Sequence, residues 1–252
     1  MNLVKRCQVL PASILKIVAV ISMTIDHFAA AVLEFWYLKS EAAGMPYADQ
    51  MYRLYYVMRC IGRLAFPIYC FLLVEGFFHT RSKAKYARNL AIFALVSEIP
   101  FDLALWHARW FTLDYQNVFF TLLFGFLAML LMQMAWEKIE PLFFRIFTMI
   151  AIAIFFLVLA EVCHTDYGGW GVLTVVLMYA LRSWRVAAGA AGCAVLTLSQ
   201  PIEGWTFCIV PLLALYNGKR GKQRKFFFYI YYPAHLLILY LVYRLLVEPM
   251  IL

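Results

Sequence analysis

Long runs of Leu, Ile, Phe, Val and Ala recur along the whole chain, each broken by a short polar or basic interval. A helix rises 1.5 Å per residue, so about 20 apolar residues cross a bilayer core. By that ruler the pattern predicts helical spans over 12–36, 54–78, 86–107, 115–135, 143–163, 167–182, 186–200, 203–217 and 226–247. The three between 167 and 217 are short, and tilting, half-insertion or merging would each accommodate them. The expected fold class is therefore all-α: a polytopic membrane helical bundle of about eight or nine transmembrane helices, forming a single integral membrane domain over residues 1–252. Residues 37–53 read as the long loop of the set.

Composition agrees with the pattern. Of 252 residues, 65% are apolar and 14% charged, against about 25% charged in an ordinary soluble domain. A secreted disulfide scaffold, a disordered protein and a water-soluble enzyme are thereby excluded. The net charge of +8 would suggest nucleic acid in a soluble protein, but here the basic residues lie between apolar spans and no nucleic-acid partner is expected. They read as topology, since Lys and Arg stay on the cytoplasmic side. Lys5, Arg6, Arg81, Lys83, Lys85, Arg88, Lys138, Arg145, Arg182, Arg185, Lys219, Arg220, Lys222, Arg224 and Lys225 fall on one side, and Lys39, Arg53, Arg109 and Arg244 on the other. The first run is too long for a signal-peptide core and is interrupted by Asp26 and His27, so it reads as a retained helix with a cytoplasmic N-terminus. The six cysteines have no C-x-x-C or zinc-type spacing; they read as small apolar packers, and no metal site is expected.

Ionisable residues inside spans cost free energy, about 2.5–3.5 kcal/mol or more for Arg, Lys or Asp, and mark functional sites by default. Counted from the cytoplasmic ends, Asp26, His27, Arg63, Glu98 and Asp102 share a layer at a depth of about 18–24 Å. Arg59 and Arg63 lie four apart on one helical face, as do Glu98 and Asp102. Matching depth across the second and third spans pairs Arg63 with Glu98 and Arg59 with Asp102, either as an ion-pair ladder that fixes the hairpin or as part of a reactive site. Pro67 and Pro100 would free the carbonyls of Arg63 and Val96 in the same layer, and such carbonyls are tolerated where they line a cavity. Asp26 and His27 point about 100° apart on a helix, so Asp26 is a poor partner for His27; one should face Arg63 and the other a pocket. Glu75 and His79, four apart at the cytoplasmic mouth of the second span, would line a passage or cap the helix.

Several stretches resemble the TraX family of membrane proteins: Leu15 to His27 (LKIVAVISMTIDH), Arg59 to Thr80 (RCIGRLAFPIYCFLLVEGFFHT), Tyr86 to Asp102 (YARNLAIFALVSEIPFD), Asn117 to Gly125 (NVFFTLLFG), Asp166 to Gly171 (DYGGWG), Tyr216 to Gly221 (YNGKRG) and Phe228 to His235 (FYIYYPAH). The resemblance implies a multi-pass acetyltransferase of the bacterial cytoplasmic (inner) membrane. It would carry an acetyl group from acetyl-CoA to an amine or hydroxyl acceptor, such as the N-terminus of a membrane-associated pilin-like peptide or an unknown small molecule. Such chemistry needs a general base and a stabiliser for the developing oxyanion. His27 is the expected base, Arg63 the stabiliser, with Glu98 or Asp26 orienting them. Glu75, His79, Arg81, Lys83, Lys85, Lys219 and Arg220 are candidates to hold acetyl-CoA, the cations through its phosphates. Arg59, Asp102, Asn117, Asp166, Tyr232 and His235 are candidates for the acceptor side, His235 also as a second catalytic histidine. The rival class is a secondary transporter or proton-coupled membrane protein using the same buried charges, although no repeated halves are visible.

Overall fold

The computed structural model describes residues 8–107, 110–222 and 227–251; Lys5, Arg6, Arg109, Arg224 and Lys225 lie outside them. Among the described residues there are nine helices: α1 (Ala12–Ala42), α2 (Ala48–His79), α3 (Lys83–Trp106), α4 (Val118–Lys138), α5 (Leu142–Val162), α6 (Gly168–Ala180), α7 (Arg185–Ser199), α8 (Pro201–Ala214) and α9 (Phe227–Val247). Six of them, α1 to α5 and α9, are long and apolar enough to cross a membrane; α6, α7 and α8 are shorter apolar helices. The bundle is that of a multi-pass membrane protein.

Helix ends are closed by identifiable partners. Pro11 precedes α1 without a side-chain cap; instead the N–H groups of Ala12 and Ser13 donate to the carbonyls of Lys219 and Arg220 at 2.8 and 3.1 Å. The YNGKRG loop thus caps the first helix with its backbone. Asn117 caps α4, its Oδ1 accepting from the Phe119 N–H at 3.0 Å, and Ser82 caps α3 through the Lys85 N–H. Two isolated bridges mark opposite ends of the bundle: Leu10 with Tyr216, and Gln116 with Thr165. The connection after Tyr216 carries Lys219, Arg220 and Lys222, and Arg185 lies over the Tyr216 ring.

Residues 37–53 are not a long loop. Helix continues to Ala42 and resumes at Ala48, so α1 and α2 run past the polar residues Glu34, Lys39, Glu41, Asp49 and Arg53. At 1.5 Å per residue each is about 47 Å long, well beyond the ~30 Å hydrocarbon core. Tyr37 packs with Tyr52 and Tyr55 on this projection.

Neighbours in sequence are not always neighbours in space. Helix α3 packs on α9 and α4, whereas α2 packs on α1, α6 and α4. Helix α5 packs on α4 and α6 and leaves Phe143, Phe147, Ile154 and Val158 exposed, the composition of a lipid-facing surface. Two interruptions shape the interior. Helix α1 widens to a π-turn over Ala29–Leu33, directly after His27 and Phe28, and His107 Nε2 donates to the Ala31 carbonyl at 3.0 Å. Helix α2 breaks between Gly62 and Ala65, so that Pro67 falls in the first turn of the second half. There its missing N–H is no loss.

Candidate functional site

At the break in α2 the chain turns Arg63 inward. Arg63 is 7% exposed, and all three of its side-chain nitrogens are engaged. Nη2 donates to Asp26 Oδ1 at 2.5 Å, Nη1 to Glu203 Oε1 at 2.7 Å, and Nε to the Arg59 carbonyl at 3.1 Å. Arg59 Nη1 donates to the other oxygen of Asp26 at 2.7 Å. Two arginines and two carboxylates from α1, α2 and α8 therefore pair with one another, which offsets part of the cost of burying them.

The local sequence makes this possible. A Cβ at Gly62 would stand 2.1 Å from Asp26 Oδ1, so a residue without one is required where α1 meets α2. Ser22, one turn before Asp26, donates to the carbonyls of Ile61 and Gly62 at 2.6 and 3.1 Å, satisfying backbone groups left at the broken helix end. Glu203 is presented by a 3₁₀ segment, Pro201–Cys208, and is 2% exposed.

Beside this cluster lies a cavity of about 170 Å³. Its wall includes Asp26, His27, Arg59, Arg63, Tyr69, Tyr115, Asp166, Tyr167 and Tyr232. Tyr115 donates its hydroxyl to Asp166 Oδ1 at 2.8 Å. Asp166 belongs to the connection between α5 and α6, and burial pushes its carboxyl up from the ordinary carboxylate range. The following Tyr167 has φ +66°, an uncommon left-handed conformation for a residue with a side chain. It stacks its ring on Phe66 with centroids 3.7 Å apart, so the DYGGWG turn folds over the cavity and is held there by an aromatic contact.

The charges expected to share a layer find other partners. Arg63 pairs with Asp26 and Glu203, not with Glu98, and Arg59 pairs with Asp26, not with Asp102. The reason is topological: α3 packs on α9 and α4 rather than on α2, so equal depth did not mean contact. Glu98 instead accepts from Asn117 Nδ2 at 2.6 Å, and the same nitrogen donates to the Ala94 carbonyl at 2.8 Å. Asp102 accepts from the Thr112 N–H at 2.7 Å. Both carboxyls tie α3 to the connection that follows it, and neither lines the cavity. Asp26 and His27 do diverge: Asp26 faces the arginines, and His27 Nδ1 meets His235 Nε2 at 2.6 Å. Glu203 and Ser22 were missed. Glu203 opens the short apolar stretch 203–217, where a charge at the edge of a span carries no signal, and Ser22 carries none of its own in a run of apolar residues.

At the basic end, Glu75 accepts from the Tyr216 hydroxyl at 3.0 Å and lies 3.6 Å from Arg185 Nε. Arg185 sits over the Tyr216 ring at 5.1 Å. His79 is exposed and bonds to the carbonyl of Glu75. Lys83 reaches Gln133 and covers Phe77, while Arg81, Lys85, Lys219 and Arg220 are exposed. The structure thus gathers Glu75, Tyr216 and Arg185 beside the loop that bears Lys219 and Arg220.

Comparison with known proteins bears on the whole chain. A curated relative, "Probable fimbrial assembly protein FimC, serogroup H1" of Dichelobacter nodosus, is 28% identical over 250 residues, covering 89% of this chain and 92% of its own length. No solved structure matches the chain. The TraX protein family model matches residues 11–243, which takes in every cavity-lining residue and both ends of the bundle, and the chain belongs to the TraX family.

Proposed function

We propose that this protein is a membrane-embedded acyltransferase that moves an acetyl group from acetyl-CoA to an amine acceptor, with His27 as general base. The observation that supports this reading most is one cavity wall that holds a histidine, two arginines and two carboxyl groups together, the residue types from which a base and an oxyanion stabiliser for acyl transfer are drawn. Its cellular setting would be the bacterial inner membrane, with the basic end of the bundle in the cytoplasm.

The geometry distributes the roles unevenly. Arg63 has its three nitrogens committed to Asp26, Glu203 and the Arg59 carbonyl, so it acts as the keystone of the charge cluster. Arg59 commits Nη1 to Asp26 and lines the cavity, which makes it the better group to meet negative charge developing on a thioester carbonyl oxygen. Asp166, with Tyr115 behind it, suits an acceptor arriving as a neutral amine from the opposite end, whose N–H its carboxyl oxygen can accept. His27 takes the proton that the amine nitrogen sheds as the C–N bond forms. It returns that proton to sulfur as the C–S bond breaks, leaving an amide and a free thiol. The basic end, through Arg81, Lys85, Lys219 and Arg220, would hold the phosphates of acetyl-CoA.

The relative's name connects it with fimbrial assembly, so a pilin-like peptide is the first acceptor to try. Mass spectrometry of the cell envelope, with and without this protein, tests the reading. Loss of an acetylated species on deletion is expected. Gradient-driven solute flux in liposomes with no dependence on acetyl-CoA, and an unchanged envelope, would contradict it and favour a transporter.

A further inference from the structure

Helix α9 places His235 with Nδ1 2.9 Å from the carbonyl oxygen of Tyr231, one turn earlier. A carbonyl oxygen only accepts, so this nitrogen carries a hydrogen. In the neutral ring Nε2 then holds a lone pair and must accept. The group that reaches it is His27 Nδ1, at 2.6 Å. The two rings are inclined by 10° with centroids 4.9 Å apart, so the hydrogen bond lies close to both ring planes. The hydrogen of His27 is therefore on Nδ1. Its Nε2 keeps a lone pair on the other side of the ring, and His27 borders the cavity while His235 does not.

The anchor itself is held. Thr24 donates to the Val20 carbonyl at 2.7 Å, which leaves its oxygen to accept from the Tyr231 hydroxyl at 2.7 Å. Tyr231 in turn lies parallel to the His235 ring, with centroids 5.1 Å apart. Tyr232 meets both histidines edge-on, at 5.8 and 5.6 Å, and limits their rotation.

We infer that His235 is a positioning residue: with the Tyr231 carbonyl it fixes His27 in the Nδ1–H form, so that Nε2 is the nitrogen presented to the cavity as base. His235 neither touches the acceptor nor replaces His27 in this arrangement. The inference rests on the acyl-transfer reading for its function but not for its geometry, and the tests separate the two.

Purified protein in detergent, assayed with acetyl-CoA and an amine-terminated peptide, gives the first. His235→Leu should lower kcat at least about tenfold, with the KM for acetyl-CoA and the melting temperature little changed. His235→Gln, whose amide oxygen can accept from His27 Nδ1, should recover most of that loss. Full kcat in His235→Leu, or a Gln variant no better than Leu, would overturn the proposal. The second test is independent of activity and of how the variants fold. Spectra of ¹⁵N-histidine-labelled wild-type protein should report His27 as the Nδ1–H tautomer, and an Nε2–H signal would overturn the assignment. Wild-type protein that transfers no acetyl group while giving the Nδ1–H signal would instead remove the acyl-transfer reading and leave the tautomer intact.

Discussion

Asp26 holds two guanidinium groups at once, and Gly62 leaves the room for it. Adding a methyl there should push Asp26 away from both arginines; Gly62→Ala is expected to cost about 1–3 kcal/mol by overpacking and to abolish activity, measured by thermal melting and acetyl transfer. Arg63→Met should be worse, by about 3–5 kcal/mol, because it strands Glu203 as a buried charge. The double variant Arg63→Met with Glu203→Gln should win back much of that loss, and no recovery would mean that the pair is not coupled. Asp166 works in the opposite sense. Burial raises its carboxyl, so the folded state is destabilised as pH rises from the ordinary carboxylate range to the raised value. Asp166→Asn should therefore melt higher than wild type above that window, while its KM for an amine acceptor rises. At this scale Asp26, His27, Arg59 and Arg63 were legible, since a charge in an apolar run announces itself. Glu203 and Ser22 were not: one sits at the edge of a span and the other is small and weakly polar. The partners of Arg59 and Arg63 were unreadable too, because intramembrane depth fixes one coordinate of a side chain and leaves its neighbours open.

Breaks in helices place the chemistry. The interruption of α2 turns Arg63 inward, and the 3₁₀ segment of α8 brings Glu203 to meet it. Restoring a backbone donor with Pro67→Ala lets the Arg63 carbonyl accept from residue 67 and favours a continuous helix. Stability by melting should be unchanged or higher and acetyl transfer lower; unaltered activity would show that the break is incidental. Helix existence and order were written plainly in the apolar runs, and the prolines flagged the depth at which one helix yields. The helical extension across residues 37–53 was hidden because a bilayer ruler stops counting where polar residues begin, while helices need not. The packing of α3 on α9 rather than α2 is a long-range choice made by side chains 130 or more residues apart, and no local pattern carries it.

The whole molecule has two dissimilar ends around one buried cluster. One end carries the basic connections, the YNGKRG loop and the Glu75–Tyr216–Arg185 group, and the other carries the DYGGWG turn over the cavity. If the basic end faces the cytoplasm, Arg81→Cys should react with a membrane-impermeant maleimide only in inverted vesicles, and Leu113→Cys only in intact cells or spheroplasts. The reverse labelling would place acetyl-CoA and acceptor on the wrong sides. Charge alternation made the basic end legible from the sequence, whereas the cavity is walled by residues of α1, α2, α3, α4 and α9 and of two connections, a gathering that no local pattern carries. The central claim is that His27 takes a proton during acetyl transfer. It is tested most directly by transfer of labelled acetyl from acetyl-CoA to a peptide amine by purified wild-type protein and by His27→Ala of equal melting temperature. Transfer by the wild type with a loss of at least about 10²-fold in the variant is the predicted result, and equal transfer by both would contradict it.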